Sequence, residues 1–280
     1  LRLQKTPTVP CAFLHCTLKS WVLTTISTRD ILLPMTTDLT PRQTQILKCV
    51  IEEYINSAEP VGSEELDRKY NLGVSPATIR NEMAILTEKK FLRQPHPSAG
   101  RVPTPTAMRF YVDHLMQEKQ LSVADEVAAK EKVWDSRFDF DRLLRQATLA
   151  LADRTRTLVV AATDTGDVYS AGVANILSMP EFFDIDVTRT VLSLLDQEAR
   201  IHQLFFNPEY DSSEPVHIVF GEDLDWEYFQ PVSFALSPFS AGKNGHGTLA
   251  VIGPCRLNYS SVIPTLRYFS HLISDITSSW

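Results

Sequence analysis

The chain has 280 residues, which is enough for two domains of ordinary size with separate cores. Its hydrophobic content of 44% and charged content of 22% are typical of a soluble globular protein, and no run approaches the ~20 apolar residues of a membrane span. The net charge of -7 excludes a uniformly basic protein that coats nucleic acid along its whole surface. A local basic surface would still bind DNA.

Positive charge is concentrated in one stretch of the chain. Residues 75–109 contain six basic and two acidic side chains, whereas residues 119–280 contain 13 basic and 22 acidic ones. Because the local distribution of charge decides where nucleic acid binds, a DNA-binding motif is expected in the first stretch.

Residues 1–34 show no clear helical or strand period. Their short apolar run at residues 11–14 is interrupted by His15 and Lys19, and no small-x-small cleavage site follows, so a secretory signal peptide is not indicated. Met35 lies directly ahead of the first recognisable helix. We therefore interpret residues 1–34 as a non-conforming leader, either disordered or mis-annotated.

Three helices are predicted after the leader. Thr40 and Gln43 form a capping box around a proline at the first helical position, so a helix begins at Pro41. Further helices are predicted from Ser63 and, after a short turn, from Ser75. Three helices with a tight turn between the second and third predict a helix-turn-helix.

The third helix has two distinct faces. Apolar side chains at positions 79, 83 and 86 fall on the core side, and the outer face combines alanines with Thr78, Arg80 and Asn81. Arg can bond guanine, Asn can bond adenine, and Thr can contact a thymine methyl group or a phosphate. Taken alone, an amphipathic helix with a solvated polar face explains the pattern equally well.

A proline-stiffened loop follows and predicts a wing. Residues 91–94 are predicted to form a strand, two prolines restrict the loop, and Gly100 permits a turn before Arg101. We expect Arg101 at the wing tip, on phosphate or in the minor groove. For His96, a phosphate contact and a hydrogen bond inside the wing both remain open. The candidate DNA-contacting residues are Ser75, Thr78, Arg80, Asn81, His96, Ser98 and Arg101.

Residues 39–116 resemble the DNA-binding domain of the HrcA family of heat-inducible transcription repressors. The strings that carry the resemblance are LTPRQ (39–43), EPVGS (59–63), SPATIRNEM (75–83), PH (95–96), SAGRVP (98–103) and RFYVD (109–113). The sequence departs from the family at Lys89 and Lys90, where the family often has a helix-ending glycine. The resemblance implies binding to an inverted-repeat operator as a dimer, repression of chaperone operons, and a chaperonin partner.

The remainder predicts a helical linker and a sheet domain. Residues 117–152 are predicted to form the helical linker. Strands are predicted near residues 157–162, 168–171, 216–221 and 248–253, and helices over 187–195 and 260–276. The fold class is therefore α+β, with a winged helix-turn-helix domain (35–116) followed by a second domain (153–280).

The second domain also resembles the HrcA family, at GVANILSMPEF (172–182) and GTLAVIGPCRLNY (247–259). The resemblance implies a GAF-like domain that carries an inserted dimerisation domain. Because the strand ending at Ala171 passes directly into the family string, we expect that this insert is missing. The dimer would then depend on the GAF-like sheet or the linker helix.

No motif points to catalysis, a cofactor or a metal. The chain has no glycine-rich phosphate loop, no nucleophile elbow and no His/Glu metal spacing. Four scattered cysteines indicate buried free thiols in a reducing cytoplasm, and the acidic cluster at residues 222–227 is typical of a solvated turn. We expect a non-enzymatic, cytoplasmic repressor. A small-molecule sensor that uses the GAF-like domain is the alternative, and it requires a polar cavity near Val159 and Ile252.

Overall fold

The computed structural model describes residues 39–210 and 213–278, which belong to one compact unit. The predicted leader, Cys11 and Cys16 lie outside the described residues.

The N-terminal part is a three-helix bundle followed by a two-stranded wing. Its elements are α1 (Pro41–Ser57), α2 (Ser63–Tyr70), α3 (Pro76–Glu88), β1 (Leu92–Arg93), β2 (Val102–Pro103) and α4 (Pro105–Phe110), which continues as one π-helical turn, Tyr111–Leu115. The capping box at Thr40 is present as predicted. Strands β1 and β2 pair antiparallel, with Leu92 opposite Pro103. The predicted winged helix-turn-helix is confirmed.

The C-terminal part is built on a five-stranded sheet. The helices and strands are α5 (Val123–Trp134), α6 (Phe140–Thr155), β3 (Leu158–Thr163), β4 (Val168–Ala171), α7 (Val173–Ile176), α8 (Ile185–Leu194), α9 (Glu198–Phe205), β5 (His217–Phe220), β6 (Val232–Ser240), β7 (His246–Pro254) and α10 (Tyr259–Thr277). The strand order is β4-β3-β7-β6-β5, and every neighbouring pair is antiparallel.

Each face of the sheet has its own hydrophobic core. Along β3, Val159 and Ala161 point into the core shared with α6 and α10, whereas Leu158 and Val160 point into the core shared with α8 and α9. This alternation follows from the two-residue period of a strand. Helices therefore cover both faces, and the α+β class is confirmed.

Strand β6 was not predicted from the sequence, because Pro238 interrupts it and proline is uncommon in central strands. The structure shows how the proline is tolerated. Strand β5 pairs with β6 only as far as His217 opposite Leu236, so Pro238 lies beyond the end of β5 and pairs with Thr248 of β7. Among the described strands, the backbone at Pro238 thus has a ladder partner on one side only.

Strand β4 leads directly into α7. It ends at Ala171, and Gly172 makes the turn with φ 83° before α7 begins at Val173. A Cβ atom on Gly172 would lie 2.1 Å from the Thr157 carbonyl oxygen, so the turn packs closely against the start of β3. No further domain is inserted at this point, as the sequence predicted.

An ion pair and a hydrogen bond connect the N-terminal and C-terminal parts. Arg109 pairs with Asp223 at 2.6 Å. The Arg256 guanidinium bonds Glu181 through Nε and Nη2 at 2.6 and 3.1 Å, and its Nη1 donates to the Ile55 carbonyl at the end of α1 at 3.3 Å. The Arg256–Glu181 pair lies within the C-terminal part and is largely shielded from solvent. It orients Arg256 toward Ile55, so the winged domain is held against the sheet domain by charge-assisted hydrogen bonds from Arg109 and Arg256.

Candidate nucleic-acid interface

Helix α3 begins at a polar cap. The Ser75 hydroxyl accepts a hydrogen bond from the Thr78 backbone N–H at 3.2 Å and lies 3.0 Å from the Thr78 hydroxyl. Ile79, Met83 and Leu86 are buried beneath the helix. The cap thus fixes the first turn of α3. Within it, the two predicted site residues Ser75 and Thr78 are hydrogen-bonded to each other.

The exposed face of α3 presents Arg80 and Asn81. Both side chains are exposed, and neither forms a hydrogen bond or ion pair with any residue that the structure describes. By contrast, Glu82 accepts a hydrogen bond from Gln43 Nε2 at 3.0 Å. The Glu82 carboxylate is therefore held by Gln43, whereas Arg80 and Asn81 are available for a ligand.

The wing tip is a closed, rigid loop. Gln94 Nε2 donates to the carbonyls of Pro97 and Ala99, both at 2.9 Å, and His96 Nδ1 lies 3.1 Å from the Ser98 hydroxyl. His96 and Ser98 are exposed. For His96, the hydrogen bond inside the wing is thus present, which was one of its two predicted roles.

Arg101 lies at the base of the wing, and its predicted position at the tip is wrong. Its backbone exchanges two 2.9 Å hydrogen bonds with Val61, next to the start of α2, and its Nε donates to Thr87 Oγ1 on α3 at 3.1 Å. The terminal nitrogens of the guanidinium make no hydrogen bond within residues 39–210 and 213–278. Long-range pairing with Val61 decides this position, and no local sequence signal reports it.

Gly100 is required for a close approach of two backbone segments. A Cβ atom there would lie 2.3 Å from the Val61 carbonyl oxygen and 2.7 Å from the Pro60 carbonyl oxygen. The prediction that Gly100 serves a turn was therefore incomplete, because the missing side chain lets the wing pack against the residues before α2.

A groove of about 570 Å³ runs between the start of α2, helix α3 and the wing. Arg80, Ser98 and Arg101 line it together, whereas Ser75, Thr78, Asn81 and His96 lie outside its lining. Two arginines with uncommitted terminal nitrogens therefore flank one concave surface. Such a surface suits a phosphate backbone entering between the helix and the wing.

Three residues outside the predicted site shape this interface. Gln94 closes the wing, Thr87 anchors Arg101, and Thr104 caps α4 while its hydroxyl donates to the Lys90 carbonyl at 2.7 Å. The cap at Thr104 is recognisable from the Thr-Pro pair that begins a helix. The other two contacts depend on how the wing folds back.

The His, Cys, Asp and Glu side chains of the described residues form no candidate metal cluster. Within residues 39–210 and 213–278, no helix is long and apolar enough to span a membrane. Burial raises the pKa of Cys49 to about 11 and that of Cys255 to about 12. Both thiols are therefore protonated at neutral pH and poorly suited to metal binding or nucleophilic attack.

Two family models match the chain. The one described as the winged helix-turn-helix transcription repressor, HrcA DNA-binding, matches residues 38–116. The one described as the HrcA protein C terminal domain matches residues 105–263, which is more than half of the chain.

Curated relatives are similar over nearly their whole length. Heat-inducible transcription repressors HrcA from Syntrophobacter fumaroxidans and Thermomicrobium roseum are each 26% identical to the chain, over 340 and 339 positions. The first alignment covers 85% of this chain, about 238 of 280 residues, and 97% of the relative. About 100 of the 340 positions thus face gaps in this chain, a deficit as large as a small domain.

A solved structure shares the fold. The crystal structure of a hypothetical protein at 2.2 Å resolution covers 86% of this chain and 99% of its own, with a TM-score of 0.67 and 17% identity. At this identity the likeness shows the architecture alone.

Proposed function

This chain belongs to the HrcA family, and from that premise we propose that it is a sequence-specific DNA-binding repressor of heat-shock (chaperone) operons that binds an inverted-repeat operator as a dimer. The observation that carries the proposal is the pair of uncommitted side chains on α3, Arg80 and Asn81, beside a groove that Arg80 and Arg101 share. These residue types read guanine and adenine edges in the major groove.

In this proposal the helix and the wing have separate tasks. Helix α3 enters the major groove and places Arg80 and Asn81 on base edges, which provides sequence specificity. Arg101, with Ser98 and His96 at the wing tip, contacts the sugar-phosphate backbone, which provides affinity and register. Ser75 and Thr78 act through the cap that fixes the first turn of α3.

Two copies are required because one helix reads only a few base pairs, and a two-fold protein matches an inverted repeat. By relation to the family, we extend the proposal to heat-inducible control with a chaperonin as the regulatory partner, acting in the cytoplasm without an enzymatic activity. The C-terminal domain would set the dimer geometry.

The alternative, a small-molecule sensor, receives little support. It requires a polar cavity near Val159 and Ile252. Both side chains are fully buried, one in each of the two cores that flank the sheet, so the apolar strands pack against helices at these positions.

The test is a titration of the full chain against a chaperone-operon inverted repeat, a single half-site and scrambled DNA, each at several salt concentrations. We expect binding to the full repeat to exceed binding to scrambled DNA by at least ~4 kcal/mol, with the half-site in between. Equal, weak binding to all three DNAs would refute the proposal.

A further inference from the structure

An apolar stripe lies exposed on helix α5. Val123, Val127, Trp134 and, just beyond the helix, Phe138 are 77, 51, 42 and 80% exposed. Large apolar side chains gathered on one face of a helix mark an interaction site more often than a solvated surface.

The stripe is separate from the contacts that hold α5 in place. Ala129 and Val133 on the inner side of the helix are buried. On another side, ion pairs of 3.5 Å between Lys132 and Asp153 and of 2.9 Å between Arg154 and Asp125 join α5 to α6. With 3.6 residues per turn, positions 123, 127, 130 and 134 fall within about 60° of one another, pointing away from both contacts.

The spacing of the stripe is that of a helix-pairing seam. Val123, Val127, Lys130 and Trp134 are separated by four, three and four residues, the alternation that places side chains at the d and a positions of a heptad. Lys130 is the charged member, and its Nζ lies 5.0 Å from the centre of the Trp134 ring. At the end of the stripe, the Arg137 guanidinium lies 4.8 Å from the centre of the Trp134 ring and 4.3 Å from that of Phe138. A seam of this kind fits another helix with the same spacing.

We propose that the partner of this stripe is the α5 helix of a second copy of the chain, packed antiparallel across a two-fold axis. A parallel pair would place Lys130 against the partner's Lys130, which like charge disfavours. In an antiparallel pair, Lys130 lies over the partner's Val127, and Val123 covers the partner's Trp134. Glu131 then faces the partner's Ala124, so no like charges meet along the seam.

The composition of the stripe and its surroundings suits the centre and rim of such an interface. A stable interface uses about 800 Å² of each partner, with an apolar centre and a polar rim. The four apolar side chains form the centre, and the exposed charges of α5 around them form the rim. Because α5 follows the winged domain within the same compact unit, a two-fold axis at α5 would also relate the two α3 helices.

This inference deepens the proposed function and rests on it, since an inverted repeat requires two copies. Its first test is sedimentation velocity of the full chain, comparing the wild type with Val127→Lys. In the antiparallel pair each new lysine would lie over the partner's Lys130, so the like charges should weaken dimerisation roughly 100-fold. The matched control is Ile185→Lys, because Ile185 is 69% exposed on α8, outside the stripe, and this variant should dimerise like the wild type.

A wild type that stays monomeric, or a Val127→Lys variant that dimerises as tightly as the wild type, would overturn the inference. The DNA titration separates this failure from failure of the proposed function. Val127→Lys should match the Ile185→Lys control in its affinity for a half-site and lose the added affinity for the full repeat. If the wild type itself binds all DNAs alike, the proposed function fails, whatever its oligomeric state.

Cysteine cross-linking tests the orientation without depending on a disruptive charge. Under oxidation, a mixture of Val123→Cys and Trp134→Cys proteins should form a linked dimer, because these positions meet across the antiparallel seam. Each variant alone should link no more than the parent protein, which controls for the native cysteines. Efficient linking of Trp134→Cys alone would instead indicate a parallel pair and overturn the antiparallel arrangement.

Discussion

The Nε atom of Arg101 donates a hydrogen bond to Thr87 Oγ1 at 3.1 Å, and this contact joins the base of the wing to the C-terminal half of α3. Thr87 in turn donates to the Met83 carbonyl at 2.8 Å, and the Arg101 backbone is paired with Val61. One arginine therefore fixes the angle between wing and helix while its terminal nitrogens remain available to DNA. Its structural and electrostatic roles must be separated by experiment.

Arg101→Ala should weaken binding to all DNA sequences alike. Loss of one phosphate contact should reduce the slope of log K against log salt concentration by about 0.9, measured by titration at four or more salt concentrations. Thr87→Val is the matched control, because it removes the anchor but keeps the cation, so the slope should stay at the wild-type value. An unchanged slope in Arg101→Ala would show that Arg101 serves only the fold of the wing.

Arg80→Ala should act on specificity. If Arg80 reads a guanine, its loss should cost about 1–3 kcal/mol on the cognate operator and relax the preference at one base position. Thermal stability should not change, because Arg80 has no partner within the described residues. Arg80→Lys keeps the charge but not the bidentate geometry, so it should lose specificity and keep the salt slope. An equal loss on scrambled DNA would place Arg80 on phosphate instead.

Gly100→Ala should destabilise the winged domain. The added Cβ would lie 2.3 Å from the Val61 carbonyl oxygen, and relieving that clash should cost about 1–3 kcal/mol of unfolding free energy. Ser98→Ala, on the exposed wing tip, is the control that should leave stability unchanged within ~0.5 kcal/mol. Urea denaturation of both variants makes the comparison, and wild-type stability in Gly100→Ala would contradict the close packing.

The sequence was most informative where structure depends on neighbouring residues. The capping box at Thr40 and the Ser75 cap are local, and both are present. The position of Arg101 depends on pairing with Val61, 40 residues away in the chain, so the loop sequence alone placed it wrongly. Strand β6 was missed for a similar reason, since only the end of β5 explains why Pro238 is tolerated.

The backbone conformation of Lys90 has a measurable consequence. Lys90 follows α3 with φ 64°, a left-handed conformation that favours glycine. Replacing Lys90 by glycine removes backbone strain from the folded state, but it also stabilises the unfolded state by increasing the entropy of the chain. The first effect is the larger in free energy, so Lys90→Gly should raise the unfolding free energy by about 0.5–1 kcal/mol. Lys89→Gly, at φ -75°, should bring no gain. Equal effects of the two substitutions would contradict the conformation at Lys90.

The ion pair between Glu118 and Arg267 should make stability depend on pH. Arg267 Nη2 and Nη1 donate to the two carboxylate oxygens at 2.7 and 2.9 Å, and these bonds hold the pKa of Glu118 below its usual value of 4.5. A lowered pKa in the folded state stabilises the fold above the unfolded pKa, and that stabilisation is lost as pH falls through the folded value.

Glu118→Gln should therefore be less stable than the wild type at pH 7. The difference in unfolding free energy between the two proteins should shrink as pH falls below about 4.5. Urea denaturation at pH 7, 5, 4 and 3 measures this difference. Glu131→Gln is the control, because Glu131 is exposed and forms no ion pair with any residue that the structure describes. Its unfolding free energy should stay close to that of the wild type at every pH. For Glu118→Gln, a difference of the same size at pH 3 and pH 7 would mean that packing, and not the charge of Glu118, stabilises the junction with α10.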